Sequence, residues 1–107
     1  MNITVLNDSN FDSETSTGVT LVDFYADWCG PCRTLNPVLE SLANSLTGEA
    51  KVVKVNVDES PTLAQKYEVR GIPTLIVINN GKVVNRKTGG GTEVQLLNFV
   101  RSGKETI

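Results

Sequence analysis

Histidine is absent and cysteine occurs only twice, at Cys29 and Cys32. Without an imidazole, neither a Ser–His–Asp nor a Cys–His catalytic arrangement can be assembled. A structural zinc site needs four ligands, usually Cys and His, and two thiols fall short of it. A cluster bridging two chains through their cysteine pairs is the one metal arrangement left open, and no metal is expected. An excess of either charge is lacking as well: 10 Lys+Arg face 12 Asp+Glu, a net charge of −2, with no basic cluster. Binding to nucleic acid or to an anionic membrane needs a concentrated positive field, so neither partner is expected. The longest wholly apolar stretch, Leu75 to Ile78, is far shorter than a bilayer span. The N-terminus, Met1-Asn2-Ile3-Thr4-Val5, lacks the basic region and apolar run of a secretory leader, so a cytoplasmic location is expected. Asn2-Ile3-Thr4 and Asn7-Asp8-Ser9 then match the glycosylation pattern by chance. Low-complexity tracts and solenoid-length repeats are also missing.

What is present is an ordinary globular composition, 39% hydrophobic and 21% charged, over 107 residues. That predicts one domain, 1–107, able to bury about two-thirds of its unfolded surface without staples. Along the chain, Ile3 to Leu6 reads as a short strand, and Asp8 or Ser9 as the cap of a short helix to about Thr15. Thr20 to Ala26 is apolar on both faces, as a central strand should be. Leu35, Val38, Leu39, Leu42, Ala43 and Leu46 recur at helical spacing, predicting a helix from Gly30 to Leu46 with Pro37 kinking it. Lys51 to Val57 alternates as a strand, and Ser60-Pro61 opens a helix ending before Gly71. Thr74 to Ile78 and Lys82 to Arg86 flank Asn79-Asn80-Gly81, a strong hairpin signal. Thr92 and Gln95 form a capping box for a last helix with Val94, Leu97, Phe99 and Val100 turned inward. The order βαβαβα followed by ββα predicts an α/β fold: a mixed five-stranded sheet flanked by four helices.

In such open sheets, sites gather at the carboxyl ends of strands. Trp28-Cys29-Gly30-Pro31-Cys32 lies there, between a strand and a helix. Residues three apart at a helix start bring their Cβ atoms to about 5–6 Å, close enough for a disulfide. Unpaired N–H groups and the helix dipole favour a thiolate at Cys29, which can then attack and leave in reversible exchange. Cys32, one turn inside, is the resolving thiol. Gly30 leaves the approach open and Pro31 stiffens the turn. The competing reading is a structural bond, which would stabilise by only about 2 kcal/mol and tend to be reduced in a cytosol. Asp23 interrupts Leu21-Val22-Asp23-Phe24-Tyr25. If buried, its pKa rises and it becomes a proton acceptor for Cys32; the alternative is a strand carboxylate reaching solvent. Lys54 is either a neighbour that modulates Asp23 or a solvated strand lysine. Trp28 suits either a partner-binding surface or the core. Pro73 precedes a strand, where a cis peptide would serve. Gly89-Gly90-Gly91 reads as a flexible loop, since it lacks the Lys and Ser/Thr of a phosphate loop.

With these residues assembled, the chain closely resembles the thioredoxin family. The resemblance runs through Val22-Asp23-Phe24-Tyr25-Ala26, Trp28 to Cys32, Pro37, Val57-Asp58, Arg70-Gly71-Ile72-Pro73-Thr74 and Asn80-Gly81. It implies that Pro73 is cis and packs opposite the cysteines, and that Asp23 is the buried proton-transfer group with Lys54 beside it. It also implies that Trp28, Gly71, Ile72, Pro73 and Gly89 line the groove for the partner's chain. By the same resemblance the chain reduces disulfides in target proteins as a monomer, binds no cofactor, and is recycled by a flavin-containing, NADPH-dependent thioredoxin reductase or, in some lineages, a ferredoxin-linked one. A glutaredoxin-like reading fits the Gly-Pro pair and preceding Trp poorly. Family members can also serve as non-catalytic subunits of assemblies, the competing class of function. Three positions depart from the family pattern: Tyr25 where many relatives have a second Trp, Asn36 where a small apolar residue is common, and Gly90 where Ala is usual.

Overall fold

The computed structural model describes residues 3–104. Asn2 of the first glycosylation match and the extreme ends of the expected 1–107 domain lie outside them. The chain runs β1 (Thr4–Leu6), α1 (Phe11–Thr15), β2 (Val19–Tyr25), α2 (Gly30–Ser45), β3 (Lys51–Asn56), α3 (Pro61–Lys66), β4 (Thr74–Asn79), β5 (Lys82–Thr88) and α4 (Glu93–Lys104). The five strands form one sheet in the order β1-β3-β2-β4-β5. β1, β3 and β2 are mutually parallel, whereas β4 is antiparallel to β2 and β5 to β4. Helical crossovers allow the parallel pairs, and the tight turn dictates the antiparallel one. In that turn Asn80 and Gly81 both take positive φ, 51° and 85°, the geometry that matches the twist of paired strands.

Strand alternation divides the interior in two. On one face Leu21, Val52, Leu75 and Val77 pack with Leu35, Leu39, Leu42 and Leu46 of the α2 segment and with Leu96 and Val100 of α4. On the other, Val22, Phe24, Val53, Val55, Ile76 and Ile78 pack with Phe11 of α1 and Leu63 of α3. Helices thus cover both faces, as expected of a sheet whose central strands carry apolar residues on both sides. Pro37 lies within α2 and is exposed.

Three local expectations need correction. Asn10, not Asp8 or Ser9, precedes α1, because Asn7 Oδ1 accepts from the N–H groups of Ser9 and Asn10 and builds a turn there. Ser60 occupies the position before α3 but its hydroxyl makes no cap bond; Asn56 Oδ1 instead accepts from Asp58 N and Glu59 N. In α4 the capping box forms as expected: Thr92 N donates to Gln95 Oε1 at 2.9 Å and Gln95 N to Thr92 Oγ1 at 3.2 Å. In this helix Leu96 and Val100 are buried against the sheet, and Val94 is 68% exposed. Leu97 and Phe99 are partly buried.

Candidate active site

β2 ends at Tyr25 and α2 begins at Gly30, so the connecting residues sit at the carboxyl end of a central strand. Cys29 is the N-cap residue of α2, with extended backbone, and Pro31 falls in the first turn. Cys29 and Cys32 form a disulfide with their Cα atoms 5.2 Å apart. Cys32 N donates to Cys29 Sγ at 3.2 Å, so an orphan N–H of the helix start is aimed at that sulfur. Both cysteines are buried, at 4% and 2% exposure, so accessibility separates them only slightly. A Cβ at Gly30 would meet nothing within 4 Å, which leaves this flank of the dithiol open.

The loop before β4 packs against the pair. Ile72 shares an apolar cluster with Ala26, Cys29 and Cys32, and Ile72 O lies 3.9 Å from Cys29 Sγ. The Ile72–Pro73 peptide is cis. Pro73 O accepts from Gly89 N at 2.7 Å, joining this loop to the end of β5, and Gly89 has the positive φ of 96° that favours glycine. Gly71 is exposed at the start of the same loop, its carbonyl accepting from the Thr74 hydroxyl. Trp28 is 68% exposed and so belongs to the surface and not the core; its Nε1 donates to Asp58 Oδ2 at 2.8 Å. Beside Pro31 a hollow is lined by Thr34, Leu35, Val38, Gly90 and Gly91. A Cβ at Gly90 would come within 3.0 Å of Leu35 Cδ1, so the glycine widens this hollow.

Asp23 is fully buried on the sheet face that α2 and α4 cover, between Leu21 and Tyr25 on its strand and opposite Leu75 of β4. Neither carboxyl oxygen has a hydrogen-bond partner. Burial raises its pKa from 3.8 to about 7, against a smaller lowering by the charge of Lys54. Lys54 lies directly across on β3, but its ammonium is joined to Asn36 and Tyr25 and not to the carboxyl. These two partners, and Asp58 beneath Trp28, were not assigned from the sequence. Asn36 and Tyr25 were visible there only as departures from a pattern, and no spacing rule links α2 to β3.

The arrangement is a reversible two-electron store: a dithiol at a helix start that closes to a disulfide, with a buried carboxyl of raised pKa on the strand that leads to it. Among the described residues, no group of three or more His, Cys, Asp and Glu could hold a metal ion, and no helix is long and apolar enough to cross a membrane. Residues 2–102 match the thioredoxin family model. The chain is 52% identical over 89 residues to a thioredoxin of Staphylococcus epidermidis, covering 83% of this chain and 86% of that protein. Thioredoxins of Staphylococcus saprophyticus and Staphylococcus aureus are each 51% identical over the same span. With the Cys29–Cys32 pair at bonding distance, this is a thiol–disulfide oxidoreductase, and the chain belongs to the thioredoxin family.

Proposed function

We propose that the chain reduces disulfides in other proteins, with Cys29 as attacking thiolate and Cys32 as resolving thiol. The observation that carries this reading is the N–H of Cys32 directed at Cys29 Sγ across the first turn of α2. A negative charge on that sulfur is favoured by the donor and by the helix start, which gives Cys29 a larger thiolate fraction than an unassisted thiol. The Cys29 thiolate attacks one sulfur of the target disulfide, the target's S–S bond breaks, and the released sulfur takes a proton from solvent. Cys32 then loses its proton, through a water, to Asp23. Its thiolate attacks Cys29 Sγ and expels the second target sulfur, which picks up a proton in turn. Two electrons pass from the dithiol to the target, and the Cys29–Cys32 disulfide remains.

Trp28, Gly30, Pro31, Gly71, Ile72, Pro73 and Gly89 surround the pair and form the groove that seats the target's chain. Exposed Trp28, open Gly30 and the cis loop at Ile72–Pro73, which packs against the pair, support that assignment. Lys54 tunes the carboxyl. The spent disulfide is reduced by a thioredoxin reductase that carries the flavin and draws on NADPH, so this chain needs no cofactor of its own. A monomer working in the cytoplasm is the setting that fits this cycle.

The test is reduction of insulin disulfides by the full chain, coupled to NADPH oxidation with flavin-dependent and ferredoxin-linked reductases in parallel. Cys29→Ser is expected to abolish turnover, and Cys32→Ser to accumulate a covalent mixed disulfide with the target. If iodoacetamide at pH 7 modified reduced Cys29 no faster than a free thiol and Cys32→Ser trapped nothing, the reading would fail.

A further inference from the structure

Lys54 and Asp23 are register partners on adjacent strands, yet the ammonium is held elsewhere. Lys54 Nζ donates to Asn36 Oδ1 at 2.7 Å and stands 4.0 Å from the centroid of the Tyr25 ring. The carboxyl opposite has no hydrogen-bond partner on either oxygen. The two groups that hold the ammonium come from different elements: Asn36 from the second turn of α2, Tyr25 from β2 two residues beyond Asp23. A four-carbon stem is long enough to bring the ammonium to the carboxylate, and such an approach would stabilise the charged acid strongly. An amide oxygen and an aromatic face are neutral acceptors that engage the ammonium without neutralising it.

We propose that Asn36 and Tyr25 are positioning residues that hold the Lys54 ammonium off the Asp23 carboxyl, so that this acid stays uncompensated and available to take a proton. The surroundings agree. Glu40, exposed on α2, lines the same hollow as Asn36 and Lys54, on the outer side of the ammonium's two partners. Burial, with Asp27, Glu59 and Asp23 as neighbouring anions, holds the Tyr25 phenol above its usual range, partly offset by a hydrogen bond from Asn56, so the ring stays neutral. Among the described residues, β4 and α4 bring apolar side chains to this core, Leu75 and Val77 from the one and Leu96 and Val100 from the other, and the Cys29–Cys32 pair at the head of α2 is closed. Lys54 is therefore the cation whose position sets the field at Asp23, and Asn36 and Tyr25 decide that position.

The consequence for exchange rests on the reading of Asp23 as proton acceptor, but the placement is testable without it. The Asp23 carboxyl carbon is titrated by carbon-13 NMR in the oxidised full chain. In Asn36→Ala the released ammonium relaxes toward the carboxylate, and the pKa of Asp23 is expected to fall by about one unit. Tyr25→Leu is expected to shift it in the same direction, which covers the case of one variant failing to fold. Lys54→Met raises it, and adding Asn36→Ala to Lys54→Met is expected to change nothing further. An unchanged or raised pKa in Asn36→Ala, or a fall that persists in the double variant, overturns the proposal. Failure of the proton-acceptor reading would show elsewhere, as a parental rate of disulfide reduction in Asp23→Asn.

Discussion

At the scale of single residues, Asp23 is the place where folding and chemistry oppose each other. A carboxyl with neither oxygen paired is tolerated in the fold as the neutral acid and resists ionisation. Because its pKa is raised from 3.8 to about 7, the unfolded chain releases this proton first as pH climbs. Through that interval the native state binds more protons than the unfolded state, so this group's effect lowers stability from about pH 4 to about pH 7 and is level above. Asp23→Asn keeps the shape and removes the ionisation. The variant is expected to match the parent near pH 4 and to exceed it by roughly 2–4 kcal/mol at pH 8. Urea unfolding at both pH values measures this, and an equal difference at the two would contradict it.

At the scale of elements, α4 shows that packing on the sheet decides a helix's inward face. The reciprocal bonds between Thr92 and Gln95 fix where the helix starts, and its axis packs on the sheet with Leu96 and Val100 beneath it. Apolar content alone pointed to Val94 as an inward residue, yet it is 68% exposed, while Leu96 is fully buried. Leu96→Ala is therefore expected to cost about 2–5 kcal/mol, whereas Val94→Ala stays within about 0.5 kcal/mol of the parent. Guanidinium midpoints of the two variants decide it; comparable losses would reverse the assigned faces. α2 presents the opposite case. Leu35, Leu39 and Leu42 are legible as its inward row because their spacing of four and three persists over about two turns.

At the scale of the whole molecule, two apolar cores on opposite faces of one sheet support a dithiol that must survive both redox states. Cys29 and Cys32 pack in a small cluster of their own with Ala26, so neither large core is built on the bond between them. Closing a loop that short is worth about 2 kcal/mol in the chain-entropy model. Reduction by dithiothreitol is thus expected to lower the free energy of unfolding by about that amount and to leave far-ultraviolet circular dichroism unchanged. Loss of the native signal on reduction would show the disulfide to be a structural staple, incompatible with a carrier that cycles.

Element order, the hairpin at Asn80-Gly81, the capping box and the redox dithiol all follow from the sequence, because each depends on groups within a few residues of one another. Position relative to distant chain was decided only by tertiary structure. The burial of Asp23 without a partner, the cis loop at Ile72–Pro73 seated on the dithiol, the bond from Trp28 to Asp58, and the capture of Lys54 by Asn36 and Tyr25 each join segments remote in sequence. Short-range patterns report propensity and period, whereas the field at a buried acid is the sum of whatever the packed elements bring to it.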